Sequence, residues 1–277
     1  MNSCKSTYRI AVCFSGQARH WKESAENIKN FFDLNKITHP NLGIPIEVDY
    51  FIHTWDTNTW NNPKSPPIGG QNEKFTEYKE LRDEYNPKEM IVSKWNQNDF
   101  YNAFNPMFYS HSRSLMLKRD YEITNDFRYD LVIKARLDTV YDPRIKFPLH
   151  TLISATGYTI TTISKFAGEF NNNTFDDVLF YGDSQTMDII GDLYNTYMTK
   201  IPDNKTYIEK NNALNIDINQ YVGPGSLLHN HMSELNIYPT CNQPVPYAVY
   251  RSTMKEKNLN PMSDFEEIRK LWFDWYA

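Results

Sequence analysis

Residues 10–14 are all apolar and rich in β-formers, and the run stops at Ser15 and Gly16. A buried strand over 9–14 that enters a turn is the prediction. Beyond the turn, Trp21, Ala25, Ile28 and Phe32 recur at helical spacing through a charged segment, which predicts an amphipathic helix. Residues 46–52 then read as a second strand, ending at His53, Thr54, Trp55 and Asp56. Strand, glycine turn, helix and strand in this order form a βαβ unit, so a parallel sheet is expected.

The pattern continues with a long Pro- and Gly-rich loop over 57–78, a short strand at 89–92, and a helix over 107–123 carrying Arg113, Lys118 and Arg119. Residues 130–137 form a fourth apolar strand that runs into Asp138 and Asp142. Strands are expected at 158–162 and 177–181. A helix starts at Asp183 and Ser184 with Met187, Ile190, Tyr194 and Tyr197 on one face. Gly223 and Pro224 open a further helix to about 235, and a last helix from about 264 carries Phe265, Ile268, Leu271, Trp272 and Trp275 along a stripe. That stripe is expected to pack on the core, because Glu266, Glu267 and Asp274 are the wrong sign for an interfacial helix. No repeat and no linker interrupts the chain. The expected architecture is therefore an α/β, Rossmann-type single domain over 1–277, with a nucleotide-binding half at about 8–142 and an acceptor-side half at about 143–277.

Composition narrows the function. A net charge of −5 argues against binding a nucleic-acid backbone. Cys4, Cys13 and Cys241 are odd in number and fit neither a zinc site nor a disulfide framework, which favours a reducing, cytoplasmic compartment. The first seven residues are polar, and no stretch reaches the ~20 apolar residues of a spanning helix. A soluble protein, at most peripheral to a membrane, is expected. The aromatic share of 15% suits sugar rings but is explained as well by an ordinary core.

Five segments can carry chemistry. Ser15, Gly16, Gln17 and Arg19 form a polar turn at the C-terminal end of the first strand, where open parallel sheets bind ligands and a helix N-terminus favours phosphate. His53 and Trp55 end the second strand on the same edge and are assigned to the nucleotide with them, while Arg113 supplies a further cation. Lys134, Arg136 and Asp138 follow an apolar strand; there Asp138 suits an Mg²⁺ or Mn²⁺ ion and Arg136 a direct phosphate contact. Asp176 and Asp177 enter a predicted strand and are candidates for the general base that deprotonates an acceptor hydroxyl, with Asp183 as a helix cap. His229 and His231 diverge on a helix, so at most one reaches a metal; His231 is assigned.

Taken in order, Ile10 to Arg19, Phe51 to Asp56, Lys134 to Asp138, Asp176 to Asp183 with Met187, and Val249 to Ser252 resemble the GT-A-like glycosyltransferases of bacterial surface-polysaccharide clusters and large DNA viruses. The resemblance spans about 9–252 and rests on the order of short motifs. It implies a nucleotide-diphosphate sugar donor, a divalent metal, and transfer to a hydroxyl of a glycan or glycoconjugate in polysaccharide biosynthesis. It assigns Ser15 to Arg19 to the nucleotide and Asp138 to the metal. One departure stands out: the family's usual pair of acids is reduced to one, with Arg136 where the first would be. Arg136 is thus an alternative to the ion as neutraliser of the diphosphate. A PP-loop-type nucleotide enzyme and a non-catalytic carbohydrate-binding protein are the competing readings.

Overall fold

The computed structural model describes residues 6–35, 37–39, 41–57, 74–95, 105–148, 159–162, 178–195, 232, 234–241 and 246–274. The opening βαβ unit is present: β1 (Tyr8–Ser15), α1 (Trp21–Phe31) and β2 (Ile46–Trp55). After α2 (Tyr78–Tyr85), the short strand β3 (Glu89–Ser93) pairs parallel to β2. Helix α3 (Asn105–Thr124) then carries the chain back across the sheet to β4 (Leu131–Ala135), which pairs parallel to β1 on its other side.

Among the described residues, seven strands form one sheet in the order β3-β2-β1-β4-β7-β6-β8, with β6 at Thr159–Thr162, β7 at Phe180–Gly182 and β8 at Tyr238–Cys241. The four strands from β3 to β4 are mutually parallel, and β7 is antiparallel to both β4 and β6. The sheet is therefore mixed, with a Rossmann-like parallel half. A second, two-stranded sheet pairs β5 (Thr139–Tyr141) with β9 (Tyr247–Val249). Helices α4 (Ser184–Gly191), α5 (Ser252–Glu256) and α6 (Phe265–Asp274) complete the described elements.

Alternation along the parallel strands sends side chains to two cores. Ile10, Val12 and Phe14 of β1 join Ile28, Phe31 and Phe32 near α1, whereas Ala11 and Cys13 join Leu115, Met187 and Ile190 near α3 and α4. On the α1 side, Phe31 stacks on Tyr141 with ring centroids 3.9 Å apart, and Phe147 packs edge-on to Phe31. This fastens β5 to α1, each such pair adding about 0.5–1.5 kcal/mol beyond its buried area. The amide of Asn27 makes the same junction in hydrogen bonds: its Oδ1 accepts from Tyr141 N at 2.7 Å, and its Nδ2 donates to the carbonyls of Tyr141 and Pro261. Phe265, Ile268 and Trp272 of α6 are buried, as expected for a helix packed on the core.

Helix α3 is unusual in burying polar side chains. Lys118 is fully buried, and its ammonium donates to Glu122 at 3.0 Å, Ser184 Oγ at 2.7 Å and Asp188 at 2.6 Å. The Ser112 hydroxyl donates to the Gly191 carbonyl, and a Cβ on Gly191 would lie only 3.0 Å from Leu115 Cβ. Close approach, and not backbone freedom, is why a glycine serves there. Among the described residues, no helix is long and apolar enough to cross a membrane.

Candidate functional site

The chain leaves β1 at Ser15, runs out to the β3 edge and returns to β4, so the sheet order reverses between β1 and β4. Ligands of open α/β sheets bind beyond the carboxyl ends of the strands at such a point. Here both ends carry charge. Gly16 takes φ +106°, a backbone conformation that side chains disfavour, and so bends the chain out of β1. Arg19 follows, then His20 in a left-handed conformation at the start of α1. Strand β4 ends at Ala135, so Arg136 and Asp138 stand beyond it, earlier than the strand to 137 read from the apolar run. The Ser24 hydroxyl of α1 donates to the Leu137 carbonyl at 2.6 Å and ties the two loops together.

Asp138 is 1% exposed and sits at the centre of three guanidinium groups. Arg136 binds it in a two-pronged fashion, Nε to Oδ1 at 2.8 Å and Nη2 to Oδ2 at 2.7 Å. Arg19 Nη2 lies 3.3 Å from Oδ2 and Arg251 Nη1 3.9 Å from the same oxygen. Arg251 arrives from β9, whose end is pinned to the site because Tyr250 N donates to the Asp138 carbonyl at 2.8 Å. The neighbouring Ser252 hydroxyl lies 3.2 Å from His20 Nε2.

The electrostatics follow from burial and crowding. Burial by itself would raise the Asp138 carboxyl, but Arg136, then Arg19 and Arg251, outweigh it and hold it far below the usual carboxylate range. Arg19 is pushed down to about 10, first by burial, with Arg251 and Arg136 adding to the push and Asp138 opposing it. Three guanidinium groups thus approach the one Asp138 carboxylate. Burial also leaves Arg19 Nε and Ser15 Oγ without a hydrogen-bond partner among the described residues.

The implied Mn²⁺ or Mg²⁺ does not fit this arrangement. Both oxygens of Asp138 already accept from guanidinium groups, and a hard cation placed on them would sit among three cations. Among the described residues, no group of three His, Cys, Asp or Glu side chains gathers as a metal site. Asp142, the other acid of this segment, is taken up by Arg144, which also pairs with Glu266. His231, Asp176 and Asp177, assigned above to metal and general base, lie outside the described residues. Asp183 is the cap of α4, accepting from Thr186 N at 3.0 Å.

On the α3 side the nucleotide assignments resolve differently. His53 is 0% exposed, with Nδ1 2.7 Å from Ser110 Oγ and Nε2 2.8 Å from Ser93 Oγ. Burial and then Arg113 push its imidazole down to about 3, so it is neutral. Both ring nitrogens are engaged, so His53 acts by holding Ser110, whose hydroxyl accepts from Gly16 N at 2.6 Å. Trp55 is buried against Trp95 and Tyr109 and belongs to the core. Gln17 lies half-buried in the turn. Arg113 is half-buried, and its Nε finds no partner among the described residues. His111 lies deeper, its imidazole held well below the ordinary range by burial, then by Lys134 and Arg136.

Arg19, Arg136 and Asp138 are thus brought together. Arg251 joins them from the Val249 to Ser252 segment, which has no role in the site on sequence grounds, and Ser110 and His111 lie beside them without having been singled out. Arg251 had one available signal, a cation directly after a buried strand. A cleft of about 590 Å³ lies elsewhere, between α2 and β3, lined by Asp56, Lys74, Lys79, Arg82 and Lys94; its cations are all exposed, as on any solvated rim. No protein-family model and no curated protein sequence matches this chain.

Proposed function

We propose that this chain is a glycosyltransferase that takes a sugar from a nucleotide-diphosphate donor and passes it to a hydroxyl of a glycan or glycoconjugate acceptor. The observation that carries the reading is the convergence of Arg19, Arg136 and Arg251 beyond the ends of β1 and β4. Transfer from such a donor breaks the bond between the anomeric carbon and the diphosphate, and the leaving group takes the electron pair. Its growing negative charge is the chief barrier that a protein can lower by electrostatics. Guanidinium groups suit this task, because their planar N–H pairs match phosphate oxygens and stay charged at any working pH. Guanidinium groups gathered in a partly dry setting also favour phosphate-bearing ligands over neutral sugars. A GT-A arrangement, with the acceptor on the C-terminal side and Asp177 or Asp176 as base, belongs to the same proposal.

The test is a thermal-shift and calorimetric panel of UDP-, GDP- and dTDP-sugars, with ATP and free glycans beside them. Stabilisation by a nucleotide-diphosphate sugar, followed by release of the nucleoside diphosphate with an acceptor mixture, is the expected result. Stabilisation by ATP alone would favour a PP-loop-type enzyme, and by free glycans alone a carbohydrate-binding protein. Either result overturns the proposal.

A further inference from the structure

We infer that the three arginines neutralise the donor diphosphate directly, with no divalent cation, and that Asp138 is their positioning residue. The inference rests on the reading of the crevice as a donor site and departs from it on one point, the agent that meets the phosphate charge. Three observations carry it.

The first is the state of the Asp138 carboxylate. An ion of the Mg²⁺ kind needs an open oxygen at about 2.0–2.1 Å, and it repels other cations. Asp138 offers neither condition: Arg136 grips both its oxygens, and Arg19 and Arg251 crowd Oδ2. The second is the gathering of charge. Three guanidinium groups meet at one carboxylate, with Arg19 and Arg251 only 15% and 14% exposed. Guanidinium groups that converge in this way match the oxygens of a diphosphate in charge and in hydrogen-bonding geometry. The third is hydrogen bonding. Arg19 Nε and Ser15 Oγ are buried and without partners among the described residues, and both flank the turn that leaves β1. A phosphate oxygen accepts from both kinds of group.

Asp138 then has a role that needs no metal. Three guanidinium groups gathered at one point repel one another, and a central carboxylate offsets that repulsion. Asp138 holds Arg136 in a fixed two-pronged pose and draws the other two toward the same point.

The deciding experiment is calorimetric titration of the full chain with inorganic pyrophosphate and with UDP, in EDTA and again with Mn²⁺ or Mg²⁺. Pyrophosphate affinity in EDTA is expected to equal that with the cation within about threefold. Arg19→Gln and Arg251→Gln should each weaken it by about 10-fold or more. Asp138→Asn should weaken it about 10-fold through lost preorganisation, equally with and without cation, and Asp138→Glu should recover part of the loss. Binding that appears only with Mn²⁺ or Mg²⁺ overturns the inference, as does no pyrophosphate binding under either condition. An Asp138→Asn protein of unchanged affinity removes the positioning role. If that variant fails to fold, the EDTA comparison on the unaltered chain decides. Cation-free pyrophosphate binding without response to any nucleotide-sugar leaves the inference standing while the transferase reading falls.

Discussion

Replacing Lys118 by Met tests the anchor beneath the site. Helix α3, which carries Ser110, His111 and Arg113, is clamped to α4 by this buried ammonium, alongside the hydrogen bonds of Ser112 to Gly191 and of Ser184 to Glu122. Methionine has a similar length and volume, so the change removes charge and leaves the packing nearly intact. All three N–H groups of the ammonium are used, by Glu122, Asp188 and Ser184. Breaking a buried ion pair by removing one partner costs about 3–5 kcal/mol, since the other charge stays behind. Two features soften the loss here. Glu122 keeps the Tyr129 N–H and the Ser184 hydroxyl, both at 2.7 Å, and Asp188 keeps Arg128 at 3.0 Å. The expected cost is therefore at the low end, about 3 kcal/mol. In a chain of this size that lowers Tm by about 6 °C. Urea denaturation should show a reduced midpoint at unchanged slope. A Lys118→Met/Asp188→Asn double variant should lose less than the sum of the single losses, by at least ~0.5 kcal/mol. A loss below about 1 kcal/mol, with strict additivity, would refute the clamp.

Arg19→Ala should weaken nucleoside-diphosphate binding by about 10- to 150-fold, or ~1.5–3 kcal/mol, and leave the fold intact because Arg136 still pairs with Asp138; an unchanged Kd by calorimetry removes the turn from the site. His53, pushed down to about 3, lies below the ~6.5 of an unfolded chain, so the unfolded state takes up its proton first. Its contribution is complete above about pH 6.5 and is lost as pH falls toward 3, by up to ~1.4 kcal/mol per unit. His53→Asn should accordingly flatten the stability profile between pH 6 and 4, and a profile parallel to that of the unaltered chain speaks against it. Gly16→Ala meets no atom within 4 Å yet must take φ +106°, so a loss of ~1–3 kcal/mol from backbone strain alone is expected; a neutral substitution would show that the turn relaxes.

The βαβ start and the fourth strand were legible because parallel strands covered on both faces leave continuous apolar runs at residues 10–14 and 131–133. Arg19, Arg136 and Asp138 were legible for a related reason, since charge that follows such a run must sit at the strand's carboxyl end. Short elements left no comparable trace. Strands β5 and β9 are three residues each, too few for a period, and α2 buries only Leu81 and Tyr85. Arg251 was hidden with them, because only the pairing of Thr139 with Val249 brings it to Asp138. Nothing in the sequence of α3 marks Ser110, Ser112, Ser114 and Lys118 as inward-facing, yet each is buried. Buried polar residues have the composition of surface ones and differ only in their distant partners. For the same reason His53 looked like a ligand contact, when its ring is closed by Ser93 and Ser110 from two other elements.

The three arginines come from widely separated parts of the chain, which has a consequence for how the protein is made. Residues 8–135 contain the whole parallel half of the sheet, and that half can form during synthesis from strands that follow one another closely. The arginine cluster cannot. Its third cation, Arg251, and the Pro261 carbonyl that completes the bonding of Asn27 lie more than a hundred residues further along the chain. Closing β5 onto β9 spans more than a hundred residues, a contact whose loop entropy makes it slow relative to the local pairings. A nascent chain stalled before residue 246 would therefore hold a nearly complete sheet with Arg19 and Arg136 in place, but without Arg251. On the proposed function, anion binding is therefore acquired after the sheet, which pulse-labelled translation intermediates would reveal as protease resistance that precedes anion binding.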